Sequence, residues 1–329
     1  MRAVQLSRFG GPEVFELVEI ATPEPGPGQV RIKVRAIGVN FADTLMRRDR
    51  YAVTPSLPAI LGSEAAGVID ALGPGVGSSL VGQRVAAPIF ATADGLGAYA
   101  EYVVIDAGLV APLPEALSFA QAAAVMNQGL TALYLTRQAS PNGKTVLVNA
   151  AAGGVGSILV QLAKRAGARK VIAAASNEDK LDFALSLGAD VGVNYTRPDW
   201  VDELRRATDG AGPDLIYESA GGSVTVDSLQ ALAPLGQIVI YGALNIQSFH
   251  LGVPELLELI FKNQSVTGFA FMPLLTPERM KSALAELFNL VAKGELSVII
   301  GGSYPLQNLS DAHRDLETRK STGKLIVTP

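Results

Sequence analysis

Up to about residue 120 the chain alternates apolar and polar positions in short runs: RAVQL, FELVEI, QVRIKVRAIGV, EAAGVIDAL, RVAAPIF and AYAEYVVID. A period of two turns one face of a strand to a core and the other to solvent, and the stretches PEPGPG and GPGVG between runs supply turns. The pattern predicts a compact β domain. From about residue 121 the texture changes. TVLVNA, KVIAAAS, DVGVNY, DLIYES, QIVIYG and SVTGFAF read as strands, with helical patterns between most of them. In VGSILVQLAKRAG, for example, Val155, Ile158, Leu159, Leu162 and Ala166 share one helical face. Strand–helix alternation of this kind predicts a parallel, doubly wound sheet. A long helix pattern (PERMKSALAELFNLVAKG), a short helix and the strand KLIVT close the chain. Because the α/β unit is already complete, this tail is expected to rejoin the first domain. The fold class is therefore α/β, with a β-rich domain from 1–121 and 265–329 and a nucleotide-binding domain from 122–264.

One stretch departs from the alternation. After QVRIKVRAIGV, the segment NFADTLMRRDRY brings Asn40, Asp43, Arg47, Arg48, Arg50 and Tyr51 close together. The three arginines are expected to form a mostly solvated face, since short charge clusters usually do.

Length and composition narrow the classes. At 329 residues, 48% of them hydrophobic, the chain fits about two globular domains. A net charge of −4 gives no reason to expect nucleic acid or an anionic membrane as partner. With no cysteine, disulfides and thiolate metal sites are excluded, and the two histidines, His250 and His313, stand far apart in sequence. No metal site is expected. MRAVQLSRFG lacks the apolar stretch of a secretory signal, and no run of about 18 apolar residues exists to span a bilayer. A cytoplasmic location is the expectation.

Ala151, Gly153 and Gly156, with Gly154 and Val155 between them, take the spacing G-x-G-x-x-G with alanine first. A strand precedes this motif, a helix follows, and a second strand comes after that, which is the context of a dinucleotide fingerprint. Glycines there let backbone N–H groups and a helix N-terminus approach a pyrophosphate. NAD-selective enzymes place Asp or Glu at the end of the second strand for the ribose 2′-OH. Here VIAAAS ends in neutral Ser176, with Lys180 a turn beyond, which suits a 2′-phosphate and so NADPH. Glu178 and Asp179 would disfavour a phosphate if turned inward. The S-x-x-D pattern of Ser176 and Asp179 instead suggests a helix cap.

GGPEVFEL, PEPGPGQVRIKV, GVNFADT, LGSEAAGVI, NQGLTALYL, NAAAGGVGSILVQLAK and ADVGVNY, in this order, resemble the medium-chain dehydrogenase/reductase superfamily. Within it, the zinc-free quinone oxidoreductases related to zeta-crystallin are the most similar branch. The resemblance implies a GroES-like catalytic domain, a Rossmann domain inserted after it, a cofactor in the cleft between them, and commonly a homodimer joined near SVTGFAF. Zinc alcohol dehydrogenases of the superfamily hold a cysteine ligand where this chain has Asn40, and a histidine where it has Ser63 before Glu64. Too few ligands remain for zinc.

What remains is hydride transfer from NADPH to an activated, electrophilic small molecule such as a quinone or an α,β-unsaturated carbonyl. For this chemistry the protein orients the reactants and stabilises the enolate. Asn40 is the candidate to position the acceptor carbonyl or the nicotinamide ribose. Tyr51 is the candidate proton donor, with a packing aromatic as the other reading; Asp43 more plausibly orients the loop than reacts. The resemblance adds Thr131, at the start of a helix, near the nicotinamide, and Tyr195 and Arg319 at the adenosine 2′-phosphate. Tyr241 and Gly242 close the fifth strand at the cofactor edge. Two further readings stay open: an enoyl-thioester reductase, and a low-turnover NADPH-binding structural or regulatory protein.

Overall fold

The computed structural model describes every residue except 243, 245–247 and 249. Two compact units emerge: Met1–Leu130 with Leu275–Pro329, and Thr131–Leu274. Both divisions fall later in the chain than 121 and 265. A single helix, α2, carries the chain through the first of them, and the strand at 265–268 hydrogen-bonds within the second unit.

In the first unit, β1 (Arg2–Leu6) and β2 (Phe15–Glu19) form a hairpin-like pair. The main sheet contains β3 (Gln29–Val39), β4 (Ala65–Leu72), β5 (Arg84–Ala87), β6 (Tyr102–Asp106) and β7 (Ala111–Pro112). Between β3 and β4 lies the short helix α1 (Phe41–Arg47), and α2 (Phe119–Gln138) follows β7. β5 is shorter than RVAAPIF suggested, because Pro88 has no N–H for the ladder and a 3-10 turn begins at Ile89. The alternation of β3 is as read: Val30, Ile32 and Val34 are buried and join Ile69, Ile105 and Leu325 in one core.

The second unit is a six-stranded parallel sheet. Along the chain come β8 (Thr145–Asn149), α3 (Gly154–Arg165), β9 (Lys170–Ala175), α4 (Glu178–Ser186), β10 (Val191–Asn194) and α5 (Trp200–Ala207). Then come β11 (Leu215–Glu218), α6 (Ser223–Ala231), β12 (Gln237–Ile240), α7 (Val253–Lys262) and β13 (Ser265–Gly268). Spatial order is β10-β9-β8-β11-β12-β13. The chain thus reverses direction across the sheet between β8 and β11, and in such sheets ligands bind outside the strand C-termini at that point. β8 and β11 are buried at every position, as strands covered on both faces must be.

The returning segment supplies α8 (Pro277–Ala292), β14 (Ile300–Pro305), α9 (Leu309–Glu317) and β15 (Lys324–Thr328). β15 pairs antiparallel with β3, Leu325 opposite Val39, while β4 pairs with β3 from its other side, Ala65 opposite Ile37. The residue after β3, the residue before β4 and the first residue of β15 therefore meet at one end of the sheet. They are Asn40, Glu64 and Lys324.

Candidate active site

Asn40 caps the N-terminus of α1, but its amide is not spent on the cap. Its backbone N–H donates to Asp43 Oδ2 at 2.9 Å. Its Nδ2 donates to Ser63 Oγ at 3.2 Å and Glu64 Oε1 at 2.9 Å. Its Oδ1 accepts from Gln128 Nε2 at 3.3 Å and Lys324 Nζ at 2.7 Å. All four hydrogen-bonding positions of the amide are taken. For Asn40 to bind an acceptor carbonyl or a ribose, as the sequence suggested, one of these bonds would have to be given up.

Behind Asn40 lies a sealed ion pair. Lys324 Nζ is 2.6 Å from Glu64 Oε1, with side chains 2% and 0% exposed. Burial pulls the lysine pKa down, and the Glu64 charge pulls it back up. Glu64 Oε2 accepts the backbone N–H of Asn127 at 2.8 Å. Gly38 makes room: a Cβ there would lie 2.4 Å from Glu64 Oε1 and 2.8 Å from Lys324 Cε. Neither Glu64 nor Lys324 stood out in the sequence as a site residue, although a lysine opening an otherwise apolar strand is an available signal.

Asp43 starts a second buried chain. Its Oδ2 also accepts from Tyr99 Oη at 2.6 Å. Tyr99 Oη lies 3.3 Å from His313 Nε2, and His313 Nδ1 lies 3.0 Å from Arg47 Nη1. A guanidinium only donates, so Nδ1 accepts and the imidazole proton sits on Nε2. The donors then run in one direction, from Arg47 through His313 and Tyr99 to Asp43. Burial holds His313 well below its ordinary pKa, and Arg47 adds to that. Burial also raises the Asp43 carboxyl to about 6, against the Tyr99 and Asn40 hydrogen bonds, which lower it. Arg47 is fully buried, paired with Glu317 at 2.5 Å and donating to the Gly10 carbonyl at 3.1 Å. The expectation of a solvated arginine face fails at this residue, because α9 packs its carboxylate and imidazole against α1.

Tyr51 follows α1 and is 42% exposed. Desolvation and the nearby Asp43 charge raise its pKa, which keeps the phenol in its protonated form. Thr131 is buried well inside α2, not at a helix start. Arg319 is exposed after α9, with a φ of 56°.

In the second unit, Ala150 takes the left-handed turn (φ 51°) and Gly153 caps α3 with no side chain. Ala151 is buried, its N–H on the Ala174 carbonyl at 3.0 Å. A Cβ on Gly156 would lie 2.3 Å from the Ala150 oxygen, so helix and turn approach closely only because this residue is glycine. The first turn of α3, beginning Gly154–Val155, carries no acid. This bare, amide-lined helix start fits a pyrophosphate. Ser176 and Lys180 are half-buried at the start of α4, and Tyr195 is half-buried after β10. The cap of α4 is Asn177, whose Oδ1 accepts the Lys180 N–H at 3.0 Å, and not the Ser176–Asp179 pair expected. Glu178 is drawn to β10, with Arg197 at 2.8 Å and Asn194 Nδ2 at 3.2 Å on its Oε1. Tyr241 and Gly242 follow β12, where a Cβ on Gly242 would lie 2.4 Å from Ser219 Cβ. Under this edge sits a cluster the sequence did not flag. Buried Glu218 accepts from Gly221 N at 2.6 Å, Thr225 Oγ1 at 2.9 Å and Asn149 Nδ2.

A β-rich unit closed by its own C-terminal strand, with a doubly wound nucleotide-type unit inserted in it, defines the two-domain dehydrogenase/reductase class. Comparisons with known proteins agree: residues 26–115 match the family "Alcohol dehydrogenase GroES-like domain" and residues 154–290 match "Zinc-binding dehydrogenase". A quinone oxidoreductase of Pseudomonas aeruginosa is 36% identical, covering 100% of this chain and 99% of the relative. A 2-haloacrylate reductase of a Burkholderia species is 33% identical over 99% of this chain and 98% of its own. The crystal structure of Escherichia coli quinone oxidoreductase complexed with NADPH superposes with a TM-score of 0.91 at 36% identity, covering 100% of both chains. The chain belongs to the zinc-free quinone oxidoreductase branch of the medium-chain dehydrogenase/reductase superfamily, a class of oxidoreductases.

Proposed function

We propose that this protein is an NADPH-dependent, metal-free reductase of quinones or α,β-unsaturated carbonyl compounds. The observation that carries the reading is the closed hydrogen-bonded cluster of Asn40, Ser63, Glu64 and Lys324, in which Asn40 and Ser63 stand where the resemblance places zinc ligands in zinc-dependent relatives. With the Lys324 charge balanced by Glu64 and its second bond fixing Asn40, the site offers pre-set dipoles to an oxygen that gains charge, without a Lewis acid. NADPH, when bound, supplies the hydride. Gly153, Gly154, Val155 and Gly156 would hold its pyrophosphate, and Ser176, Lys180 and Tyr195 its 2′-phosphate. The pairing of Glu178 with Arg197 supports this reading, because it turns that carboxylate toward a cation.

Similarity to a 2-haloacrylate reductase supports activated alkenes beside quinones as acceptors. We include a homodimer in the reading. β13 ends the strand order of its sheet, and on α7, the helix that leads into it, Ile260 and Phe261 are 67% and 81% exposed. No helix among the described residues is long and apolar enough to cross a membrane. The deciding experiment titrates NADPH and NADH into the protein by fluorescence, then follows NADPH oxidation with quinones, enones and enoyl thioesters. Tighter binding of NADPH, narrowed by Lys180→Ala, and turnover with quinones or enones are expected. Equal cofactor affinities, or turnover with thioesters alone, would replace the reading.

A further inference from the structure

The polarity of the first unit's site follows from one residue. Lys324 is an ammonium and can only donate, so the Asn40 atom facing it at 2.7 Å must be Oδ1. That places Nδ2 toward Ser63 and Glu64. Gln128, which meets Asn40 on Oδ1, must in turn present its Nε2. Two capacities are then left over. Gln128 Oε1 is buried with no hydrogen-bond partner among the described residues. Ser63 Oγ is already accepting from Asn40, and its own proton has no acceptor among the bonds the cluster makes. Asn40, Ser63 and Gln128 are each 8% exposed, whereas Glu64 and Lys324 are sealed at 0% and 2%. The neutral groups are the less deeply buried members of the cluster, with Gln128 Oε1 itself buried, and the charges are sealed more completely.

A buried acceptor without a partner costs about 1–3 kcal/mol, and a donor that reached Gln128 Oε1 would recover that cost. We propose that Ser63 and Gln128 are the acceptor-facing pair of this enzyme: the Ser63 hydroxyl donates to the reacting carbonyl oxygen, and Gln128 Oε1 accepts an N–H or O–H carried beside that carbonyl. The preferred acceptors are therefore enones or quinones with an adjacent hydrogen-bond donor, such as cyclic imides and amino-substituted quinones. The inference rests on the reductase reading and narrows its substrate class. In the reaction, the β-carbon of the acceptor gains the hydride, the alkene π pair becomes the α-carbon–carbonyl π bond of the enolate, and the carbonyl π pair moves to oxygen. The Ser63 O–H holds the resulting enolate oxygen, and water protonates the α-carbon. Lys324 is a positioning residue, acting through Asn40.

Maleimide and N-methylmaleimide test this directly, since they differ only at the imide N–H. With no cysteine in the chain, neither reagent meets a protein thiol. Steady-state NADPH oxidation is measured for the wild type and for Ser63→Ala, Ser63→Thr and Gln128→Met. The wild type should show a KM for maleimide about fivefold below that for N-methylmaleimide, the range of one neutral hydrogen bond. Gln128→Met should erase that difference, raising the KM for maleimide to that for N-methylmaleimide. Ser63→Ala should lower kcat on both by roughly 100-fold, as loss of an oxyanion donor does, while Ser63→Thr keeps most of it. An active wild type with no preference, a preference that survives Gln128→Met, or full activity in Ser63→Ala overturns the inference. A wild type that oxidises NADPH with no acceptor of any class overturns the reductase reading instead.

Discussion

Lys324 Nζ and Asn40 Oδ1 lie 2.7 Å apart although 284 residues separate them in the chain. The lysine also meets Glu64, so removing it would strand a carboxylate that is 0% exposed. Breaking one side of a buried pair costs about 3–5 kcal/mol, whereas removing both charges can be nearly neutral. Lys324→Met should therefore be destabilised by that order in urea unfolding, and Lys324→Met with Glu64→Gln should recover much of the loss. If the double variant is no more stable than the single one, the pair is not the source of the cost.

Asp43 predicts a pH dependence. Its folded value of about 6 lies above the ordinary 3.8, chiefly through burial, so the folded protein holds this proton more tightly than the unfolded chain. Its contribution to stability is complete below about pH 4, falls as pH rises through 6, and is then constant. The stability of wild type relative to Asp43→Asn should thus decline between those values, by up to about 1.4 kcal/mol per pH unit. Urea unfolding of both proteins at several pH values measures this. A difference independent of pH would contradict it.

Gly156→Ala places a Cβ where only 2.3 Å separates it from the Ala150 oxygen. Since the clash is with backbone, the turn before α3 must shift. NADPH affinity, measured by fluorescence titration, should fall by more than about tenfold, with overpacking costing about 1–3 kcal/mol in stability. Unchanged affinity would remove this turn from the cofactor site.

Phe261, 81% exposed on α7, should matter to association more than to folding. Phe261→Asp is expected to shift the molar mass seen by light scattering from dimer to monomer, with the far-UV circular dichroism unchanged. A wild type that is already a monomer would refute the dimer.

How much of this was legible in the sequence depended on the distance over which each interaction acts. The period-two pattern of β3 and the buried runs of β8 and β9 depend on which face meets the core, and local alternation records that. That the second unit is a parallel, doubly wound sheet was legible in its strand–helix alternation, whereas the order of its strands came from the pairing itself. The burial of Arg47 could not be read in the same way. It depends on His313 and Glu317, 266 and 270 residues away, and locally Arg47 looks like its neighbour Arg48. α1 was hidden for a related reason: its cap residue, Asn40, turns its amide to Ser63, Glu64, Gln128 and Lys324 in place of a local bond. Tyr51 was singled out by the company it keeps in sequence and Ser63 only as the residue at a lost ligand position, while Gln128 and the hydrogen-bonding part of Ser63 emerged once Lys324 fixed the direction of the bonds around Asn40.

The pairing of β15 with β3 also sets an order of events during synthesis. Everything the second unit needs, from Thr131 to Leu274, leaves the ribosome before β15 does. The inserted unit can reach its native sheet while the unit begun first still lacks its closing strand, the reverse of the usual sequence in which N-terminal domains fold first. Until Lys324 has been made, Glu64 lacks the cation that pairs with it in the folded protein. The ion pair is thus a late lock, and it closes only on a chain whose nucleotide-type unit has already been made.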